Sequence, residues 1–168
     1  VLIGLLISIA FFIREEHGKL TKEALRIGKL AQISAAVWAM TTLGAMFMEL
    51  ASILDAPLVE TFDLMVVRSF LFQTALGKAF FISFSCAIGV AILLLFVRKT
   101  GGVLLLLGLT FIGVIAPLFQ SHSAGAGNHG TATGSLIFHV VFISIWVGGV
   151  IGLIVVEPSE REVAIPRF

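Results

Sequence analysis

Long apolar segments separated by short polar ones constrain this chain more than any other feature. Four of them, residues 30–54, 79–97, 102–119 and 135–156, reach the roughly twenty residues that an α-helix needs to cross a bilayer. A fifth, residues 1–13, is apolar but too short to cross alone. Because lipid cannot hydrogen-bond to an exposed backbone, such segments must satisfy their own polar groups, as helices do. We therefore predict an all-α, polytopic transmembrane helix bundle of about five spans, the first truncated.

The composition agrees with a membrane protein. The chain is 58% hydrophobic and only 12% charged, whereas about a quarter of the residues of ordinary globular domains are charged. The charges lie in connecting segments and form no basic face, so we expect the lipid bilayer and no nucleic acid as a partner. The polar tail after residue 156 suggests a continuation, and residues 1–168 are expected to be one bundle and a fragment of a longer protein.

The basic residues predict the orientation. Three connecting stretches that share one side of the predicted topology carry most of them: Arg14, Lys19, Lys22, Arg26, Lys29, Arg98, Lys99, Arg161 and Arg167. The other side has only Arg68 and Lys78. Cytoplasmic loops carry the excess of Lys and Arg, so the loop between the fourth and fifth spans is predicted to face outward and the end of the chain inward.

The second connection, residues 55–78, mixes apolar clusters with sparse charge. This pattern suits a short helix lying at the membrane interface. An ordered loop packed on the bundle is an equally good interpretation of the same residues.

Three of the four histidines lie close together at the start of the last span, in SHSAGAGNHGTATGSLIFH. They are His122, His129 and His139. Imidazole is well suited to binding transition metals near neutral pH, so these residues are the candidate metal ligands. Since protonation competes with the metal, capture is expected to weaken below about pH 6.

The helical period relates His139 to Trp146. If Ser135 caps the fifth span, His139 lies about one turn inside it. Trp146, seven residues on, then falls two turns deeper on the same face. Because polar groups in lipid normally face protein partners, this face is predicted to line a metal pathway.

Further soft or ionisable side chains lie in the outer halves of other spans. Met46, Glu49 and Cys86 are candidates for the same pathway. Each also has a structural interpretation: Met46 as a gap-filling residue, Cys86 as a small buried one, and Glu49 as a side chain reaching the interface.

The glycines of the last span are assigned to helix packing. Gly148 and Gly152 form a GxxxG pattern, which lets two helices approach closely, and Gly149 lies beside them. No phosphate-binding loop, serine elbow, HExxH or CxxC motif is present, so we expect no enzymatic activity.

The run from Ser121 to Ile154 resembles the signature of the CopD/PcoD copper-resistance membrane proteins. The histidines match that signature, and His139, Trp146, Gly148 and Gly149 match its H-x6-W-[VL]-G-G pattern. The segment TALGKAF, residues 74–80, is also similar to the family. This likeness covers mainly residues 74–153 and extends to actinobacterial members fused to a cytochrome-oxidase assembly domain.

The resemblance implies a multi-pass protein of the bacterial cytoplasmic membrane that handles copper, as Cu(I) or Cu(II). Copper would be captured at the outer face and passed into or across the membrane, and a periplasmic copper carrier and a respiratory oxidase or its assembly factors are the implied partners. Two other functions stay open at this point. One is a haem-binding electron-transfer protein with histidine axial ligands, and the other is an accessory subunit of a respiratory oxidase.

Overall fold

A computed structural model describes residues 1–13, 15–16, 19–121 and 129–155. The described chain is almost entirely helical, which confirms the predicted all-α bundle. In chain order the elements are α1 (Leu2–Ile7), which continues as a π-helical turn (Ser8–Phe12), the two-residue strands β1 (Glu15–Glu16) and β2 (Lys19–Leu20), α2 (Lys22–Leu54), a 3-10 helix (Leu58–Phe62), α3 (Leu64–Gln73), α4 (Ala75–Leu93), α5 (Thr100–Ser121) and α6 (His129–Val155). The two strands pair antiparallel.

Within these ranges, four helices are long and apolar enough to cross a membrane: Lys22–Leu54, Ala75–Leu93, Thr100–Gln120 and Gly134–Val155. The α1 segment is a shorter apolar helix. Helix α2 begins eight residues before the predicted span because Thr21 caps it, its Oγ1 accepting a hydrogen bond from the backbone N–H of Ala24 at 3.3 Å. The predicted span at 30–54 is therefore the apolar part of a longer helix.

Helices α2 and α4 run antiparallel, and two hydrogen bonds define their register. The Gln32 side chain donates from Nε2 to the Ala91 carbonyl at 3.2 Å. The backbone N–H of Leu20, just before α2, donates to the Arg98 carbonyl, just after α4, at 3.0 Å. The start of α2 and the end of α4 thus lie at the same end of the bundle.

The short helix α1 is the most completely buried element described. Leu5 and Leu6 are fully buried and Ile9 nearly so. They join one hydrophobic cluster with Ala24, Ile27, Ala31 and Ala35 of α2 and with residues of α4 and α5. The small side chains of α2 let neighbouring helices approach closely, and α1 occupies the centre of the bundle as a result.

The second connection contains a helix, as one of the two interpretations of its sequence predicted. Asp63 begins α3, its Oδ1 accepting a hydrogen bond from the Met65 N–H at 2.7 Å. Phe70 packs into a second hydrophobic cluster with Met46 and Leu50 of α2, while Leu64 and Met65 are exposed. The position of α3 at a membrane interface stays a prediction.

Candidate metal-binding site

Helix α6 begins earlier than the sequence suggests. The predicted cap at Ser135 is wrong, because the helix already starts at His129. The intervening residues GTATG have low intrinsic helix propensity, which favours a later start, but propensity is a weak guide that context overrides. His139 therefore lies ten residues, or about 15 Å, from the first residue of the helix.

Of the three candidate histidines, the structure describes His139 and the backbone of His129. His122 lies outside the described residues. His129 and His139 are separated by about 15 Å along the axis of α6 and by about 80° around it. Metal–imidazole bonds are only about 2.0–2.1 Å long, so these two positions of one helix are too far apart to hold a single ion.

His139 and Trp146 share one face of α6, as the helical period predicts. Both side chains are exposed, Trp146 by 66%. Phe138, Phe142 and Ile143 are exposed on the same side of the helix. Among the residues that the structure describes, this face of α6 points away from the bundle and not into it.

The opposite face of α6 packs on α1 through glycine. A Cβ atom added to Gly148 would lie 2.7 Å from the Cα of Gly4, and one added to Gly4 would lie 2.7 Å from the backbone nitrogen of Gly149. A Cβ on Gly152 would lie 2.7 Å from the Ser8 Oγ. The two helices therefore touch backbone to backbone along this line. This packing leaves the face with His139 directed away from the bundle.

Met46 is buried in the second hydrophobic cluster, with 5% of its surface exposed. It borders a cavity of about 220 Å³ between α2, α3 and α4, together with Phe47, Phe80 and Phe84. Its thioether is in an apolar, aromatic environment, which is the setting in which methionine commonly fills irregular gaps.

Cys86 lies deeper and in a different packing environment. A Cβ added to Gly113 of α5 would come within 2.6 Å of both the Cys86 Cβ and the Trp38 ring. Along α4, Cys86 is six residues from Phe80, which packs near Met46, and this corresponds to about 9 Å. Met46 and Cys86 therefore occupy two separate levels of the bundle.

Glu49 is exposed on α2. In the part of the chain that the structure describes, no three histidine, cysteine, aspartate or glutamate side chains group closely enough to hold a metal ion. The potential metal ligands among the described residues therefore lie singly, at several different depths in the bundle.

The sequence did not predict a cavity bordered by hydroxyl side chains. A cavity of about 340 Å³ lies between α1, α2, α5 and α6 and is bordered by four hydroxyl residues, Ser34, Thr41, Thr110 and Ser144. Thr110 donates its hydroxyl to the Leu106 carbonyl at 2.8 Å and Thr41 to the Val37 carbonyl at 3.0 Å. The serine and threonine residues inside the apolar spans were the sequence signal that could have indicated this cavity.

The helices define a polytopic membrane-protein fold, with a mainly apolar cavity between them that four hydroxyl residues border. A sequence model of the family described as "Copper resistance protein D-like, N-terminal domain" matches residues 1–134. The chain belongs to this copper-resistance membrane protein family. A search of curated proteins and a search of solved structures both find no match.

The family match and the resemblance drawn from motifs overlap over residues 74–134 but have different limits. The family match reaches back to residue 1 and includes the first fifty residues, where the motifs gave only apolar segments. His122 and His129 lie inside the matched region, whereas His139 and Trp146 lie beyond it.

Proposed function

We propose that this chain captures copper at the extracytoplasmic face of the membrane and passes it into or across the bilayer. Membership of the copper-resistance family carries this proposal, since the match includes the two loop-proximal histidines, His122 and His129. Imidazole nitrogen binds copper in either oxidation state.

The distribution of charge supports the proposed orientation. Lys22, Lys29, Arg98 and Lys99 lie at the end of the bundle where α2 starts and α4 ends. The far end of α2 leads into the segment with Asp55, Glu60 and Asp63, whose carboxylates would attract a cation. The basic end is proposed to face the cytoplasm.

The spacing on α6 supports transfer between successive donors. His129 and His139, about 15 Å apart along the helix, act as two successive copper-binding positions. His139 receives copper from the outer histidines. Trp146 lies two turns further along the same face as His139 and borders the proposed copper route. Met46 and Cys86 would offer soft sulfur ligands to Cu(I) at two further levels, and Glu49 an exposed carboxylate near the outer end of α2.

Partner proteins would act where copper enters this route and where it leaves. Copper would arrive as an ion or on a periplasmic carrier. It would leave toward the cytoplasm or toward the assembly factors of a respiratory oxidase. The action is binding and transfer, with no chemical conversion of a substrate.

Replacing His139 by alanine tests the proposed route. Losing a nitrogen ligand should weaken copper binding at least as much as the roughly 10- to 100-fold that the loss of an outer-shell partner costs a metal site. Copper accumulation in cells expressing the variant should fall as well. Binding would be measured by titrating the purified protein with copper in the presence of a competing chelator.

Phe138→Ala is the matched control, because Phe138 is the adjacent exposed residue on the same helix. It should leave both binding and accumulation unchanged. If His139→Ala behaves like Phe138→Ala in both measurements, His139 has no part in handling copper.

A further inference from the structure

A second cavity lies at the basic end of the bundle, where α2 starts and α4 ends. It has a volume of about 220 Å³ and is enclosed by the start of α2, the end of α4 and the first turns of α5. Its lining is mainly apolar and includes the buried side chains of Ile9, Ala24 and Val103. Leu25 and Leu95 border it and are themselves exposed, so the cavity communicates with the surface of the bundle.

Two cations border this apolar cavity. Lys29 comes from α2 and Arg98 from the α4–α5 connection, and both are exposed. The Arg98 guanidinium donates to the neighbouring Val97 carbonyl, at 3.1 Å. A guanidinium has five N–H donors and an ammonium group three, so both side chains can offer donors to a ligand at the edge of the cavity.

The walls of the cavity are held together by hydrogen bonds between its elements. Leu20 donates to the Arg98 carbonyl at 3.0 Å, and Gln32 donates to the Ala91 carbonyl at 3.2 Å. Leu20, Gln32 and Arg98 all border the cavity. Its shape is therefore preformed, as is usual for ligand sites.

We propose that this cavity binds an anionic phospholipid. The headgroup phosphate contacts Lys29 and Arg98, and the upper part of an acyl chain enters the apolar cavity between α2, α4 and α5. The volume is smaller than the roughly 300–1,000 Å³ that encloses a drug-sized ligand, which agrees with a site that takes only part of a lipid. Basic pockets between transmembrane helices at the cytoplasmic side are suited to such headgroups.

Charge removal tests the headgroup contact. The double variant Lys29→Gln/Arg98→Gln should bind phosphatidylglycerol on the order of tenfold more weakly than the unmodified chain. The matched control is Lys22→Gln/Lys99→Gln, which removes the same charge from the same end at residues that do not line the cavity. Binding would be measured by native mass spectrometry of the purified chain titrated with phosphatidylglycerol, with phosphatidylcholine as the neutral lipid.

Filling the cavity tests the acyl-chain contact without changing any charge. Gly28 lines the cavity, and a Cβ added there meets nothing within 4 Å. Gly28→Leu should therefore lower the affinity for phosphatidylglycerol severalfold. Gly44→Leu is its control, since Gly44 lies on the same helix, has equally open space and does not line the cavity.

Three results would overturn the proposal. The first is equal loss of affinity in the Lys29/Arg98 and Lys22/Lys99 double variants, and the second is unchanged affinity in Gly28→Leu. The third is displacement of the bound lipid by inorganic phosphate at concentrations comparable to those of the lipid, because the ligand would then be a small soluble anion and not a phospholipid.

Discussion

Replacing Gly148 by leucine is expected to separate α6 from α1 and to lower the free energy of unfolding by about 3 kcal/mol. Any Cβ at this position meets the Cα of Gly4 at 2.7 Å and also the Val1 carbonyl. These are backbone atoms, which cannot rotate aside as a side-chain end can. The loss would be measured as the unfolding free energy in mixed detergent micelles.

Gly134→Leu on the same helix provides the comparison. A Cβ at Gly134 meets nothing within 4 Å, and both substitutions raise intrinsic helix propensity by the same amount. Gly134→Leu should leave stability unchanged or slightly increased. Equal unfolding free energies for the two variants would show that α1 and α6 do not touch at Gly148.

Replacing Leu6 by alanine is expected to cost about 2–3 kcal/mol of unfolding free energy. Leu6 is 0% exposed at the centre of the bundle. In a membrane the unfolded helix already contacts lipid, so little transfer energy is lost and the cost comes mainly from the cavity left behind. This places the expected value in the lower part of the range known for soluble cores.

The matched control for this prediction is Leu105→Ala. Leu105 lies on α5 and is 78% exposed, so its removal should change the unfolding free energy by less than about 0.5 kcal/mol. If Leu105→Ala costs as much as Leu6→Ala, then α1 is not the central helix.

The same pair of leucines shows what the sequence could and could not predict. Length and apolarity predicted the helices, because a lipid solvent leaves the backbone few alternatives. They could not predict which helix is central, since lipid tails are as apolar as leucine and hydrophobicity does not distinguish a protein-facing residue from a lipid-facing one. The small residues carry that signal: Ala24, Ala31 and Ala35 lie on the buried face of α2.

For the candidate site, the sequence predicted relations within one helix but not relations between helices. The common face of His139 and Trp146 follows from the helical period alone. The separate levels of Met46 and Cys86 depend on the α2–α4 register, which needs contacts such as Gln32 to Ala91. The start of α6 at His129 was missed because glycine and threonine are weak helix formers.

Metal analysis combined with an optical spectrum of the purified protein determines whether the chain binds copper, haem or neither. After preparation from copper-supplied cells, we expect bound copper and no Soret absorption. A Soret band without copper would identify a haem protein instead. Protein that carries neither copper nor haem under these conditions would contradict the proposed function.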